Sequence, residues 1–229
     1  MKKIITIVII LLVALGFGYF LFKISPQQEQ GQANGYNSSI TENPNIQSIS
    51  QPPVFDPATD HFMGDPKAKN VFIEYGDMQC PFCAQYNPVL TKVSGSFPDT
   101  VFVFRYFPLL QHQNTVEASL TAEAAGAQGK YWEMHDLLYA RQSDWQDQTE
   151  PLDTFVGYAQ QVGVKDINQF KNDVTSKKYL SVLQKGEDQA YALKLTATPT
   201  YFFNNHLLEV KTGATADSLK QEAQQYFAK

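Results

Sequence analysis

The two cysteines of this chain stand together, as Cys80-Pro81-Phe82-Cys83, directly after the apolar segment at residues 71–75. A short apolar run of this kind predicts a buried strand, and a helix that starts right after it would have the first cysteine at its N-terminus. The helix end stabilises a thiolate on that cysteine, and the second cysteine is close enough to form a disulfide with it. The arrangement predicts a redox-active cysteine pair.

Two other interpretations of the pair have less support. A structural zinc site needs about four cysteine or histidine ligands, whereas the chain has no second cysteine pair and its four histidines show no ligand spacing: His61, His112, His135 and His206. An inert structural disulfide remains an alternative, although such bridges stabilise more when they close long loops. We predict no metal and no cofactor.

The N-terminus predicts a membrane anchor. Residues 4–22 are uncharged and apolar, which is long enough to cross a hydrocarbon core of about 30 Å. Two lysines precede this segment, and after Lys23 no lysine or arginine follows before Lys67. The positive-inside rule then places the N-terminus in the cytoplasm and the rest of the chain outside the cell membrane.

A cleaved signal peptide is the alternative for this segment. Its apolar stretch is long for a signal peptide, and no small-x-small cleavage site follows it. We therefore expect residues 1–23 to be a single-pass transmembrane helix and residues 24–60, rich in Gln, Asn, Ser, Gly and Pro, to be a flexible linker. An oxidising compartment outside the membrane would also let disulfides persist.

Residues 61–229 are predicted to form one α/β domain. Its order is strand, helix, strand, then an all-helical insertion over about residues 112–195, then two strands and a helix. The predicted helix caps are Asn114, paired with Glu117, and Asp166. The net charge of −5 provides no basic surface for nucleic acid, so nucleic-acid binding is not expected.

The domain resembles a known family, the DsbA-type thioredoxin-fold proteins, in the branch of membrane-anchored extracytoplasmic thiol-disulfide oxidoreductases. The resemblance covers nearly all of residues 62–229. Its motifs, in order, are Gly64-Asp65-Pro66, Ile73-Glu74-Tyr75-Gly76-Asp77, Cys80-Pro81-Phe82-Cys83, Arg105-Tyr106-Phe107-Pro108-Leu109, Gly129-Lys130-Tyr131-Trp132-Glu133-Met134-His135-Asp136 and Thr198-Pro199-Thr200. It implies a thioredoxin fold (βαβ…ββα) with a helical insertion.

The resemblance also implies residue roles. Cys80 would be the attacking cysteine, acidic and exposed, and Cys83 the buried resolving cysteine. Glu74 would lie beneath the site as a proton relay for Cys83, with a solvated position at a sheet edge as the alternative. Pro199 would form a cis peptide bond facing the motif, with an ordinary trans turn as the alternative.

Substrate contacts are expected from Pro81, Phe82 and Thr198, whose free backbone would pair with an extended substrate. His112 is expected to be a solvated or capping side chain, with a position near the site as the alternative. Trp132 and His135 are expected to be a pair in the helix core.

Phe82 bears on the redox potential. The best-known DsbA proteins carry a histidine at this position, and phenylalanine provides neither a hydrogen bond nor a positive charge for the thiolate. The reduction potentials of thioredoxin and DsbA are about −270 and −120 mV, respectively. We therefore expect a potential below that of DsbA; an apolar contact for unfolded substrates is a second role for Phe82.

The sequence thus predicts a monomeric enzyme that introduces disulfides into exported, reduced or unfolded proteins and is reoxidised by a quinone-linked membrane partner of the DsbB-like or VKOR-like type. A disulfide reductase or isomerase of the same fold is one alternative. A non-catalytic, tethered binding module is another, from a different class.

Overall fold

The computed structural model describes residues 52–94, 97, 99–208, 213 and 215–227. Five strands and eight helices occur in this part of the chain. In order they are β1 His61–Met63, β2 Asn70–Gly76, α1 Pro81–Ser94, β3 Thr100–Tyr106, α2 Thr115–Gly126, α3 Tyr131–Ala140, α4 Gln142–Trp145, α5 Leu152–Gln161, α6 Ile167–Thr175, α7 Leu180–Ala192, β4 Thr200–Phe203, β5 His206–Leu207 and α8 Ala216–Gln224.

The strands form one mixed sheet in the order β1-β3-β2-β4-β5. Strand β2 lies at the centre, parallel to β3 and antiparallel to β4. Its Glu74 stands opposite Phe104 on one side and Tyr201 on the other. A carboxyl group is therefore placed in the middle of the sheet rather than at an edge.

Alternate side chains of the central strands point to opposite faces of the sheet, and both faces are covered. One face packs against Leu90 of α1 and Leu219 of α8; the other packs against Ala190 of α7 and Leu193. The strand residues in these clusters are Phe72, Phe102, Tyr201 and Phe203 on the first face and Ile73, Tyr75, Val103 and Phe202 on the second. Coverage on both sides explains why the strands read as continuous apolar runs.

The predicted insertion is helical from α2 to α7, between β3 and β4. Its apolar residues form one core with the residues around the cysteines. Trp145 and Phe155 are fully buried in that core, as are Met78 and Cys83. The helical segment therefore packs directly against the cysteine motif.

Capping residues in the sequence predicted where several helices begin. The Asp166 carboxylate accepts a hydrogen bond from the Gln169 amide at 2.8 Å, as an N-cap should. Asn114 occupies the N-cap position of α2, as predicted, but its side chain makes no capping hydrogen bond. Its side-chain amide instead donates to the carbonyls of Trp145, Gln146 and Gln148. Strand β1 and the short helix α4 were not predicted, since three or four residues carry too little periodicity.

The predicted transmembrane helix, residues 1–23, and residues 24–51 of the predicted linker lie outside the described residues. Among the described residues, no helix has the length and apolar character needed to cross a bilayer. Residues 52–60 contact the domain: the Asp60 carboxylate pairs with Arg105 at 2.8 Å, and the Val54 carbonyl accepts a bond from the same guanidinium at 2.6 Å. Phe55 packs edge-on against Phe62.

Candidate active site

The cysteine motif begins helix α1. The Cys80 amide donates to the Asp77 carbonyl at 3.0 Å, and the Cys80 carbonyl accepts the first helical bond, from Ala84, at 3.1 Å. Pro81 is the first helical residue, where its missing N–H leaves no bond unmade. Both cysteines are free thiols.

Cys80 is not exposed, which corrects the prediction from the sequence: only 3% of its surface is accessible, and Cys83 has none. Two contacts account for this. The Cys80 thiol donates to the Thr198 carbonyl at 3.3 Å, and Gln142 of α4 donates its side-chain amide to the Cys80 and Met78 carbonyls at 3.1 and 3.0 Å. The helical segment and the loop before β4 therefore close over the first cysteine.

Cys80 is nevertheless the acidic cysteine. A hydrogen bond from the Cys83 thiol lowers the pKa of Cys80 to about 6, against the opposing effect of burial. The backbone N–H groups of Cys83 and Phe82 add to the stabilisation of the thiolate. At neutral pH Cys80 is thus mostly a thiolate, the reactive form of cysteine, and in that form it no longer donates to the Thr198 carbonyl.

Cys83 and Glu74, unlike Cys80, have raised pKa values. Burial raises the pKa of the Cys83 thiol well above its usual value, and the negative charges of Cys80 and Glu74 act in the same direction. Burial likewise raises the pKa of the Glu74 carboxyl to about 8, with a contribution from the Cys80 charge. At pH 7 Glu74 therefore holds a proton next to a thiol that ionises only with difficulty.

The loop before β4 faces the cysteines. The peptide bond between Thr198 and Pro199 is cis. The backbone of Thr198 was expected to be free. In this reduced form its carbonyl instead accepts a hydrogen bond from the Cys80 thiol. The side chain of Phe82 is 52% exposed.

Asp77 ties the site together, a role that sequence reasoning missed. Its fully buried carboxylate accepts four hydrogen bonds of 2.6 to 2.9 Å. The donors are the amides of Gln79 and Leu109, the Thr115 hydroxyl and the His112 ring. Asp77 therefore fixes the cysteine turn, the loop after β3 and the start of α2 relative to one another. The sequence signals for it were its place directly after the central strand and its position at the end of the Ile73–Asp77 motif.

His112 belongs to the site, which corrects the expectation of a solvated or capping side chain. Its Nδ1 lies 2.9 Å from the Asp77 carboxylate. That hydrogen bond raises the pKa of His112 although burial opposes it, and the Cys80 charge acts in the same direction. An imidazolium near Cys80 favours the thiolate, so this chain has a histidine by the site although Phe82 occupies the position between the cysteines.

We expect His112→Asn to make Cys80 less acidic. The variant keeps a side-chain N–H for Asp77 but cannot carry a positive charge, so the pKa of Cys80 should rise and its alkylation by iodoacetamide at pH 6 should slow by about twofold. Thiolate absorbance at 240 nm as a function of pH measures the pKa. His206→Asn, a change on the distant strand β5, is the control; equal titration curves for wild type and His112→Asn would remove His112 from the account.

Comparison with known proteins identifies the family to which this chain belongs. The family model described as Thioredoxin matches residues 56–221. The chain belongs to the thioredoxin family. This membership confirms the resemblance from the motifs, and the α/β sheet with its helices agrees with the fold predicted.

Solved structures with the same fold include BdbD from Bacillus subtilis, with a TM-score of 0.66, 20% identity and coverage of 76% of this chain and 95% of that one. A thioredoxin-like oxidoreductase from Silicibacter pomeroyi has a TM-score of 0.62 and 21% identity, covering 75% and 93%. DsbA2 from Pseudomonas aeruginosa has a TM-score of 0.57 and 24% identity, covering 73% and 94%. The fold is therefore that of the DsbA-type proteins, and the oxidoreductases among these neighbours agree with the predicted enzyme class.

Curated relatives carry a different name. The Na(+)/H(+) antiporter NhaA 1 of Mycobacterium sp. (strain KMS) is 38% identical over 155 residues, which are 65% of this chain and 24% of the antiporter. This chain thus spans about a quarter of the length of such relatives. The name antiporter describes those longer proteins and does not assign ion transport to this chain.

Proposed function

We propose that this protein is a thiol-disulfide oxidoreductase that transfers the Cys80–Cys83 disulfide to the thiols of exported proteins. The observation that carries the proposal is the difference between the two sulfurs. Cys80 is held as a thiolate, whereas Cys83 is a fully buried thiol of high pKa with the protonated Glu74 nearby. A structural disulfide requires no such difference.

The difference assigns each group a step. A substrate thiolate attacks the Cys80 sulfur of the oxidised pair, the bond to Cys83 breaks, and its electrons go to Cys83. Because a Cys83 thiolate is costly at this position, Cys83 takes a proton, for which Glu74 is the donor. A second substrate thiolate then attacks the substrate sulfur of the mixed disulfide. Cys80 leaves as a stabilised thiolate, since thiols of low pKa are good leaving groups.

Substrates would be reduced, unfolded proteins. The exposed ring of Phe82 lies beside Cys80 in the chain and offers an apolar contact to such substrates. Pro81 is exposed next to it. In the oxidised pair Cys80 has no proton to donate, so the Thr198 carbonyl that accepts the thiol in the reduced protein becomes available to a substrate amide, which supports edge addition of an extended substrate.

The direction of electron flow depends on the potential and the partner. Oxidase activity is favoured by the stabilised thiolate, because stabilising the reduced form makes a disulfide more oxidising. Phe82, which cannot stabilise the thiolate as a histidine would, favours the alternative of a reductase or isomerase. The apolar N-terminal sequence supports a location on the outer side of the cell membrane and a membrane-embedded quinone-linked partner.

Activity on a model substrate tests the proposal. The oxidised full-length chain should convert a dithiol peptide to its disulfide in stoichiometric amounts, and the reduced chain should accelerate the reduction of insulin by dithiothreitol. Mass spectrometry of alkylated peptide measures the first reaction and insulin turbidity the second. Failure of both reactions with a folded protein would favour a binding module.

A further inference from the structure

A small cavity lies beneath the active site, between the central strands and helices α1 and α3. Its volume is about 30 Å³, which holds one water molecule. The wall is apolar except at Glu74, Asn87 and His135, with Trp132 at one side. The other lining residues are Met63, Phe72, Leu90, Phe102, Val103 and Phe104. Glu74, which the proposed reaction uses as the proton donor to Cys83, therefore shares a mostly apolar cavity with a histidine.

His135 leaves one ring nitrogen without a partner at this chamber. The residue is 2% exposed, and its Nε2 is buried with no hydrogen bond. Its Nδ1 lies 3.0 Å from the carboxylate of Asp136. Burial lowers the pKa of His135, so the ring is neutral at pH 7 and carries one proton. A carboxylate only accepts, so that proton is on Nδ1, and Nε2 presents a lone pair.

Asp136 joins this ring to the solvent. Its side chain is 49% exposed, and Asn87 donates to the same carboxylate oxygen at 3.1 Å, which fixes its orientation. Although burial opposes the change, the hydrogen bond from His135 holds the pKa of Asp136 below its usual value. His135 therefore lines the cavity and is also hydrogen-bonded to a charged group at the surface.

We propose that a water molecule in this cavity, His135 and Asp136 form the route by which Glu74 exchanges its proton with the solvent. The inference rests on the proposed function, because only turnover of the cysteine pair requires Glu74 to exchange protons. His135 acts through Glu74 and does not touch the sulfurs, so it is a positioning and relay residue.

The route balances over one catalytic cycle. When Cys83 must lose its proton, Glu74 first passes its own to the water, Nε2 takes one from the water, Nδ1 releases its own through Asp136 to the solvent, and the Glu74 carboxylate then accepts the Cys83 proton. The ring then holds its proton on Nε2. When Cys83 next leaves as a thiolate and draws a proton from Glu74, the same atoms transfer one inward and Nδ1 regains its hydrogen. Each cycle moves one proton out and one in, which returns the His135 ring to its starting tautomer without a ring flip.

Other titratable groups packed around His135 do not replace it. The ring contacts Tyr139 edge-on with centroids 4.9 Å apart, and Tyr131 is stacked at 6.0 Å. Burial raises the pKa of both phenols well above 10, so they keep their protons. The nearby His61 is engaged by Glu123 at 2.6 Å, and its charge lowers the pKa of His135.

The two thiols can be observed separately with 5,5′-dithiobis(2-nitrobenzoate). Reduced full-length chain attacks the reagent through Cys80 and releases one thionitrobenzoate; Cys83 then displaces the second, which requires its proton to leave. We expect His135→Gln and Asp136→Asn to slow the second release by at least about tenfold. The first release should stay within about twofold of wild type. The glutathione-equilibrated potential should be unchanged, because the route affects rates alone.

Two further measurements separate relay from structure. Added formate should restore part of the second release in Asp136→Asn, since a small acid can carry protons where the carboxylate is lost. His206→Gln, with its ring stacked on Tyr226 at 4.1 Å, is the matched control and should behave as wild type. A second release in His135→Gln within about twofold of wild type, or equal slowing of both releases, overturns the route. A wild-type chain that never forms the disulfide would instead overturn the proposed function.

Discussion

Replacing Cys80 by serine is expected to reduce oxidation of a dithiol peptide to the rate of the uncatalysed reaction. A serine hydroxyl is not ionised near neutral pH and cannot form the disulfide, so no remaining group transfers electrons. Replacing Cys83 by serine should also stop peptide oxidation, but the variant should differ when it is mixed with an oxidised peptide: the Cys80 thiolate attacks the peptide disulfide, and the mixed disulfide persists because the internal attack by Cys83 is lost. Non-reducing gels and mass spectrometry of the trapped species distinguish the two variants.

Alkylation provides the control for this pair. Iodoacetamide at pH 7 should modify Cys80 at least about a hundredfold faster than Cys83, because one is largely ionised and the other is a buried thiol of raised pKa. Equal labelling of the two thiols would contradict the separate roles. Peptide oxidation by Cys80→Ser above the uncatalysed rate would do the same.

Replacing Glu74 by glutamine is expected to change how stability depends on pH. The pKa of Glu74 rises from 4.5 to about 8 on folding, so between these values the folded protein holds a proton that the unfolded chain has released. Stability is fully present below pH 4.5 and falls as pH rises towards 8. The glutamine variant lacks this loss. Relative to wild type, its free energy of unfolding should increase by about 3 kcal/mol between pH 4.5 and 7.

Urea denaturation of both reduced proteins at several pH values measures this gap. The control is Glu133→Gln on helix α3, whose side chain is half exposed and paired with Lys130 at 2.8 Å. The free energy of unfolding of Glu133→Gln should stay within about 0.5 kcal/mol of the wild-type value at every pH. Parallel pH curves for wild type and Glu74→Gln would mean that Glu74 is ionised in the folded protein, and the proton donor would be lost from the account.

The features predicted from the sequence are those that local chemistry determines. The strand before the motif, the helix start at Pro81 and the cap at Asp166 each depend on residues within a few positions. Glu74 was assigned a central position because its neighbours in the strand are apolar, and the sheet order agrees. These elements carry their own signals, so no long-range contact was needed to find them.

The features missed depend on contacts between distant segments. Asp77 bonds to His112 and Thr115, which lie more than 30 residues away in the sequence, and Gln142 reaches the cysteine turn from a four-residue helix. The burial of Cys80 follows from these contacts, since the same local turn without the helical segment would leave the sulfur accessible. Periodicity and caps hold no information about which segments meet there.

The redox potential of the Cys80–Cys83 pair tests the central claim most directly. A thiol pKa near 6 lies between the values of about 7 in thioredoxin and 3.5 in DsbA. The potential should therefore lie between about −270 and −120 mV. Equilibration of the full-length chain with glutathione buffers, followed by mass spectrometry of alkylated thiols, measures it. A value in that interval is the result we predict; one at or above about −120 mV, or a pair that never equilibrates with glutathione, would contradict the account.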